Sequence, residues 1–426
     1  MSYSDDFIFI SADEYCLKVT DGTHDSPKRT SEGKYLITSK HIKERSINYS
    51  EAYLISEEDY NKINLRSKVD QWDVLISMIG AYCGFCYVER NSLIEYAIKN
   101  VGILKAGNKL KAEWLYYYLN SNKGKNYLET IKAGSTQPYI SLGELKKIPI
   151  PVPKNEETMK KIVDILSSID EKIELNNEMN RTLEEIAQAL FKRWFVDFEF
   201  PNGDGEPYKS SCGAMVESVL GMIPKGWEVK NIQDIGEVIA GGTPSTKNEE
   251  YYDGNIPWIT PKDLSGYDRK FISKGERSIT ELGLQKSSAK LVRKGTVLFS
   301  SRAPIGYIAI AEEDVTTNQG FKSIACNEDI INNNYVYYYL KFNKEKIENV
   351  ASGSTFKEVS GATMKMFDIL VPTINILNKF KNVVEAYDDI FRANYVENDT
   401  LIQLRDSLLP KLMSGEIRVE EIEANL

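Results

Sequence analysis

Tyr116-Tyr117-Tyr118-Leu119 returns as Tyr337-Tyr338-Tyr339-Leu340 in the second half of the chain. The repetition extends well beyond this tetrapeptide. Gly134-Ser135-Thr136 returns as Gly353-Ser354-Thr355, and Asn176, Asn180, Thr182 and Leu183 return as Asn394, Asn398, Thr400 and Leu401, each at nearly the same spacing. A near-constant offset of about half of 426 residues is a tandem duplication. A period this long excludes a solenoid of short repeats, so each copy is a globular unit with its own linking element. Duplicated binders have two similar but separately variable reading heads.

Within each copy the pattern is mixed. Val74-Leu75-Ile76-Ser77-Met78-Ile79 reads as a buried strand, with Val297-Leu298-Phe299-Ser300 as its counterpart. Lys111 to Asn120 and Asn334 to Asn343 read as short aromatic-faced helices. Pro149, Pro151 and Pro153 are then expected to stop regular structure, as Pro372 does in the second copy. After each stop comes a seam. Ile162, Leu166, Ile169, Ile173, Asn176, Asn180, Leu183, Ala187, Leu190 and Trp194 follow steps of four and three, and Phe380, Val383, Tyr387, Ile390, Asn394, Asn398, Leu401 and Leu408 follow a looser version. A helix from Thr158 to Phe195 would be roughly 57 Å long at about 1.5 Å per residue, a rigid spacer. A long helix in a bundle is the plain reading of such a seam. The repeated Asn pair (Asn176, Asn180, Asn394, Asn398) favours a coiled coil, because polar seam residues fix register.

The expected fold is therefore α+β: two α/β domains in tandem duplication, separated by two long helices that pair as an antiparallel coiled coil about a pseudo-two-fold axis. The boundaries read as a first domain over 1–153, a helix over 154–200, a linker over 201–225, a second domain over 226–371, a helix over 372–415 and a tail over 416–426. Phe200 to Tyr208 is dense in Gly and Pro, and Lys209 to Pro224 reads as a loop or weakly structured arm.

Composition sets outer limits. Hydrophobic content of 42% and charged content of 27% are ordinary for a soluble protein, and no apolar run has the length of about 18 residues a membrane span needs. Met1 to Asp6 lacks the basic start of a signal peptide. Cys16, Cys83, Cys86, Cys212 and Cys326 form an odd, sparse set, so a reducing cytoplasm is expected. Net charge is −9, but it divides as +1 over residues 1–150, −4 over 151–200, −2 over 201–371 and −4 over 372–426. The acid excess sits mainly on the helices and leaves the heads near neutral, free to carry local basic faces.

Catalytic motifs do not emerge. There is no G-x-x-x-x-G-K-[ST] loop and no H-E-x-x-H, and the two histidines, His24 and His41, lie near no G-x-S-x-G turn. No glycine-rich S-adenosylmethionine loop or adenine-methyltransferase tetrapeptide occurs, and the Glu-x-Lys spacings at Glu32, Glu144 and Glu228 follow no Pro-Asp on a strand. Cys83-Gly-Phe-Cys86 has half the ligands of a zinc site, with Pro304-Ile305-Gly306 in the corresponding stretch of the second copy. Zinc, redox chemistry and simple packing beside a turn all remain open for it.

The loops are richer. Asp21-Gly-Thr-His-Asp-Ser-Pro27 aligns with Gly241-Gly-Thr-Pro-Ser-Thr246, each followed by basic or polar residues. Thr23, His24, Lys28 and Arg29 in one copy, and Thr243, Ser245 and Lys247 in the other, offer hydroxyls, cations and backbone N–H suited to phosphates and base edges. Thr capping a tight turn explains the same residues without a ligand. Thr136, Gln137 and Thr355 invite the same two readings. Lys40, His41, Lys43 and Arg45, matched loosely by Lys262 and Arg269-Lys270, and with Arg302, form a candidate phosphate-facing rim or a solvated charged face.

Three stretches make the chain recognisable. They are Leu190-Phe-Lys-Arg-Trp-Phe-Val-Asp-Phe-Glu-Phe-Pro201, Pro207-Tyr-Lys-Ser-Ser211 through Leu220-Gly-Met-Ile-Pro-Lys-Gly-Trp227, and Leu404-Arg-Asp-Ser-Leu-Leu-Pro-Lys-Leu-Met-Ser-Gly-Glu-Ile417. With these in this order, the chain resembles the DNA-specificity subunit of type I restriction–modification systems over essentially its whole length. The resemblance implies two target-recognition domains, each reading half of a split double-stranded DNA site, and a chain that is not itself an enzyme. It also implies partners: two methyltransferase subunits docked on the helices, and restriction subunits that translocate and cut. S-adenosylmethionine, ATP and Mg would belong to those partners, with no cofactor or metal in this chain. Phe7 stands where the second copy has Trp227, a departure from the usual pattern. A system whose partner fuses nuclease and methyltransferase, or a coiled-coil scaffold without DNA binding, are the rival readings.

Overall fold

In the computed structural model, which describes residues 6–43, 45–302, 304–352 and 357–419, each copy of the repeat builds the same pair of sheets. In the first copy a four-stranded antiparallel sheet runs in the order Lys18–Asp21, Val101–Lys105, Asp73–Ser77, Cys86–Val88. Beside it Tyr53–Ile55, Lys34–Thr38 and Tyr96–Lys99 form a three-stranded sheet whose last pair is parallel. The second copy repeats both. Gly236–Ala240, Lys322–Cys326, Val297–Ser301 and Ile305–Ala311 match the first sheet, with Phe271–Ile272 added at the edge. Arg277–Ile279, Tyr252–Ile259 and Val315–Thr317 match the second, again with a parallel pair, and Leu291–Val292 is added. The anticipated strand over Val74–Ile79 is Asp73–Ser77, buried at every position as its apolar run requires.

The tyrosine helices span Lys109–Asn120 and Asn333–Phe342. Both start on an asparagine cap: Asn108 Oδ1 accepts from the Lys111 N–H at 2.9 Å and Asn332 Oδ1 from the Tyr335 N–H at 2.8 Å. Tyr116, Tyr117 and Tyr118, and Tyr337, Tyr338 and Tyr339, are all buried.

Two expectations are corrected. Pro149, Pro151 and Pro153 do not end regular structure: Pro149–Pro153 is a strand, paired antiparallel with Phe7–Ser11. The pair is a two-stranded sheet, and alternate prolines leave Ile150 and Val152 to supply the N–H groups on the paired side. The arm Lys209 to Pro224 is also more ordered than expected, because Met215–Ser218 and Gly221–Pro224 form a hairpin. Gly221 turns it at φ 94°, a value that favours glycine.

The chain falls into two compact units, Met1–Leu175 with Asn398–Leu426, and Asn176–Glu397. The long helices, Glu156–Phe195 and Ile374–Ser414, contribute to both. In the first unit Ile162, Val163 and Leu166 share a core with Leu409, Leu412 and Met413, and Arg405 Nη1 meets Asp170 Oδ1 at 3.1 Å. In the second, Asn176 Nδ2 donates to Glu397 Oε2 at 2.8 Å, Asn394 Nδ2 donates to Asn180 Oδ1 at 2.8 Å, and Phe191 packs on Phe380. Partner numbers fall on one helix as they rise on the other, so each stretch pairs antiparallel.

The seam is not where a strict heptad puts it. Phe191 and Phe195 are buried and Leu190 and Trp194 only half-buried, while Val383 and Ile390 are 37% and 38% exposed and Val384 and Phe391 take the core. A straight helix drifts about 20° per heptad against a 3.5-residue repeat, which moves the buried stripe of the first helix by one position over its length. In the second, Phe380, Asn394 and Asn398 stay buried on the expected seam, and the shift is local to Val383 and Ile390.

Candidate nucleic-acid interface

Antiparallel order fixes which loops meet. In the first copy Asp21 pairs with Gly102, Ser77 with Val101 and Ile76 with Cys86, so the loops after Asp21 and Ser77 and before Val101 and Cys86 leave one edge of the sheet. The segment around Thr136 joins them, since Ile79 bridges Tyr139 and the Gly80 N–H donates to the Pro138 carbonyl at 2.9 Å. The second copy does the same. Ala240 pairs with Lys322 and Ser301 with Ile305, and the Val359 N–H donates to the Ser301 carbonyl at 2.9 Å.

In the first head the loop after Asp21 is anchored by Gly22, where a Cβ would lie 2.4 Å from the Ile98 carbonyl oxygen, too close for any side chain. Thr23 Oγ1 accepts from the Asp25 N–H, which is the capping role. His24 is exposed, but both ring nitrogens are engaged, Nε2 with buried Asp21 at 3.0 Å and Nδ1 with Asn100 at 2.9 Å. Asp21 also holds Arg66. Asn100 sits at φ 54°, a conformation that asparagine tolerates. Lys28 and Arg29 are exposed, Arg29 lying over the Tyr53 ring at 4.8 Å, and Lys99 binds Ser26. Lys40 pairs with Glu51 at 3.1 Å and Lys43 lies 3.5 Å above the Tyr82 ring on the loop after Ser77. Between them His41 is buried, its Nδ1 accepting from the Thr38 N–H at 3.0 Å, so it leaves the rim. Thr136 and Gln137 are exposed.

The second head presents a different set on the same frame. Gly242 is pressed against Ser288 and Ala289, and its carbonyl accepts from Trp258 Nε1 at 3.0 Å. Thr243 Oγ1 donates to Gln319 Oε1, while Ser245 and Lys247 are exposed. Lys262 pairs with Glu276 at 2.7 Å on the loop whose Pro261 abuts Gly320. Arg302 faces Glu358 at 3.5 Å. Thr355, with Gly353 and Ser354, lies outside the described residues.

Two expected rim cations belong elsewhere. Lys270 is buried, its Nζ 2.6 Å from both Asp388 Oδ1 and Asn334 Oδ1, beneath the Tyr338 ring at 4.8 Å. Burial pushes its ammonium down and the Asp388 carboxyl up from their ordinary values, against their mutual attraction. It cannot face a phosphate. Arg45 turns from the loops to Asp170, which also accepts from Tyr117 Oη at 2.9 Å. Asp170 and Asp388 stand at the same offset as Asn176 and Asn394, so each head is tied to a long helix through the same repeated acid. The duplication makes that pair legible, although nothing in a single copy marks it.

Asn100, Gln319, Lys322 and Glu358 escape sequence reasoning. Glu358 follows the Gly353-Ser-Thr355 motif by three residues and Gln319 lies near no motif; strand order brings Lys322 to both. Cys83 and Cys86 are both buried, with Cys86 Sγ donating to the Gly84 carbonyl at 3.3 Å, and burial pushes the Cys83 thiol up. Among the described residues no group of three or more His, Cys, Asp or Glu is placed to hold a metal ion, and no helix is long and apolar enough to cross a membrane.

Comparison with known proteins matches both copies. The family model described as the type I restriction modification DNA specificity domain covers residues 23–185 and again 224–403. The chain is 45% identical over 187 residues to the type I restriction enzyme MjaIX specificity subunit of Methanocaldococcus jannaschii, a match spanning 43% of each chain and so less than half of that relative. It is 28% identical to the type I restriction enzyme HindI specificity subunit of Haemophilus influenzae, over 83% of this chain and 88% of that one. The crystal structure of a type I restriction–modification S subunit from M. genitalium is similar over 97% of this chain and 99% of its own, at 17% identity and a TM-score of 0.57, a likeness of fold.

Proposed function

This chain belongs to the family of the type I restriction modification DNA specificity domain, and from that premise we propose that it is the specificity subunit of a type I restriction–modification complex. Each head reads one half of a bipartite double-stranded DNA site through its edge loops. The long helices receive two methyltransferase subunits, which methylate adenine with S-adenosylmethionine, and restriction subunits draw on ATP and Mg to translocate and cut unmodified DNA. The chain performs recognition and leaves the chemistry to those partners, in the cytoplasm.

The observation that carries this reading is the edge itself. Two copies of one frame deliver the same loops to the same sheet edge but furnish them differently: His24, Asn100 and Lys99 in one, Thr243, Gln319 and Arg302 in the other. A frame of that kind suits two independent readers, because base edges are distinguished by the donors and acceptors set against them. The test is to express the chain with a methyltransferase subunit of its own host and map adenine methylation across that genome. One split motif, lost when this chain is deleted, is expected. Unchanged methylation after deletion, together with no sequence-selective complex in a mobility-shift assay, would end the proposal.

A further inference from the structure

At the loop edge of the second head a single carboxylate faces two cations. Glu358 Oε1 lies 3.4 Å from Lys322 Nζ and its Oε2 lies 3.5 Å from Arg302 Nη1. The Lys322 side chain is only 10% exposed, and its other contacts, to Ser301 Oγ and the Gln319 carbonyl, are also 3.4 Å long. Two other enclosed lysines are held far more tightly, the buried Lys270 by Asp388 at 2.6 Å and the half-buried Lys105 by Asp73 at 2.6 Å. Charge-assisted bonds are normally about 2.7–2.9 Å long. Lys322 is thus a desolvated cation whose three donors are all loosely used, an arrangement that leaves room for a better acceptor. Glu358 is the part able to leave: its side chain is 37% exposed, where Lys322 is enclosed by the sheet edge.

We propose that Glu358 is an internal stand-in for a DNA backbone phosphate, released from Lys322 and Arg302 when the second half-site docks. The inference rests on the DNA-reading function above and adds to it a regulation of the same edge. A carboxylate with one oxygen on each cation occupies the place that two non-bridging phosphate oxygens would take, and the guanidinium of Arg donates to carboxylate and phosphate oxygens alike. The contact holds the pocket in shape when DNA is absent and makes binding an exchange of one anion for another. Lys322 pairs with Ala240 in the sheet, close to Thr243 and Gln319, so the released cations lie beside the side chains placed to meet bases. Ser77 pairs with Val101 as Ser300 pairs with Phe321, which puts Gly102 of the first head at the position of Lys322. Among the described residues only the second head carries the device.

The experiment uses the full chain in complex with its methyltransferase subunits and a short random-sequence duplex, with fluorescence anisotropy over a range of salt. Glu358→Gln is expected to tighten binding several-fold, because the cations no longer have a competitor. Arg302→Gln is expected to weaken it and to lower the log–log salt slope by about 0.9, one phosphate contact. If Glu358→Gln binds equally or more weakly while its unfolding midpoint is unchanged, the stand-in idea is wrong. Should that variant fail to fold, an unaltered affinity and slope in Arg302→Gln would overturn it alone. Tighter capture of inorganic phosphate by Glu358→Gln, without any gain on the duplex, would assign the pocket to a free anion and also overturn it. Failure of the unaltered complex to bind any duplex would instead remove the DNA-reading function.

Discussion

Lys270 and Asp388 lose more hydration than any exposed pair in the chain, with side chains 2% and 3% exposed. Their attraction has to repay that desolvation, and the Asn334 amide, bonded to both, helps to satisfy what the pair leaves over. Lys270→Met strands a buried carboxylate and is expected to cost about 3–5 kcal/mol, read by urea denaturation. Adding Asp388→Leu should return most of it; a double variant as unstable as the single would show that the lysine's stem, not its charge, does the holding. At the exposed extreme, Lys28 and Arg29 stand on the first head's loop with no carboxylate bonded to either among the described residues. Changing both to Ala should weaken duplex binding and reduce its salt slope by roughly 0.9 per lost phosphate contact. An unchanged slope in an intact complex would move that loop off the DNA.

Among the elements, the long helices are the most legible in the sequence and still the least exact in detail. Their existence follows from apolar periodicity and from the breaks before them, since a stripe sustained over so many turns has to lie along one face of a helix. Their buried faces do not follow, because heptad counting cannot see the drift that puts Phe191 and Phe195 inside, nor that Asp388 occupies a core position opposite Lys270. The proline strand Pro149–Pro153 is illegible for a related reason. Whether a proline breaks a strand depends on which side carries the partner, and the partner, Phe7–Ser11, lies at the opposite end of the first copy. The loops at the candidate interface are visible as motifs, Thr23 to Arg29 and Thr243 to Lys247, because glycine, hydroxyl and cation cluster there. Lys322 and Glu358 are not, since strand order alone brings them together. The hydrogen-bonded Asn180–Asn394 pair offers an element-scale test. Replacing both by Leu should raise the unfolding midpoint of the chain while allowing alternative helix registers, detectable as broadened exchange in the paired stretch. A lowered midpoint would mean that the pair stabilises the helices directly.

At the scale of the whole molecule, duplication separates what must stay constant from what can vary. The second unit's core joins Ala187, Phe191 and Phe195 of one long helix and Val384 and Phe391 of the other to Tyr335, Tyr338 and Leu340 of the head. Lys341 and Tyr338 add contacts to Glu184 at 2.6 and 2.9 Å. Those contacts lie away from the loop edge at Ala240, Ser301 and Lys322, so a head can change its readers without disturbing its seat. Replacing residues 226–371 by the equivalent domain of a relative should therefore give a folded hybrid whose second half-site is new and whose first is untouched. The donor must keep a cation at 270, an amide at 334 and a tyrosine at 338; a donor lacking them should yield an unstable hybrid, not one of mixed specificity. Methylation mapping reads both half-sites in one experiment. A stable hybrid in which both half-sites had changed would show that the heads do not read independently, and the two-reader proposal would fall with it.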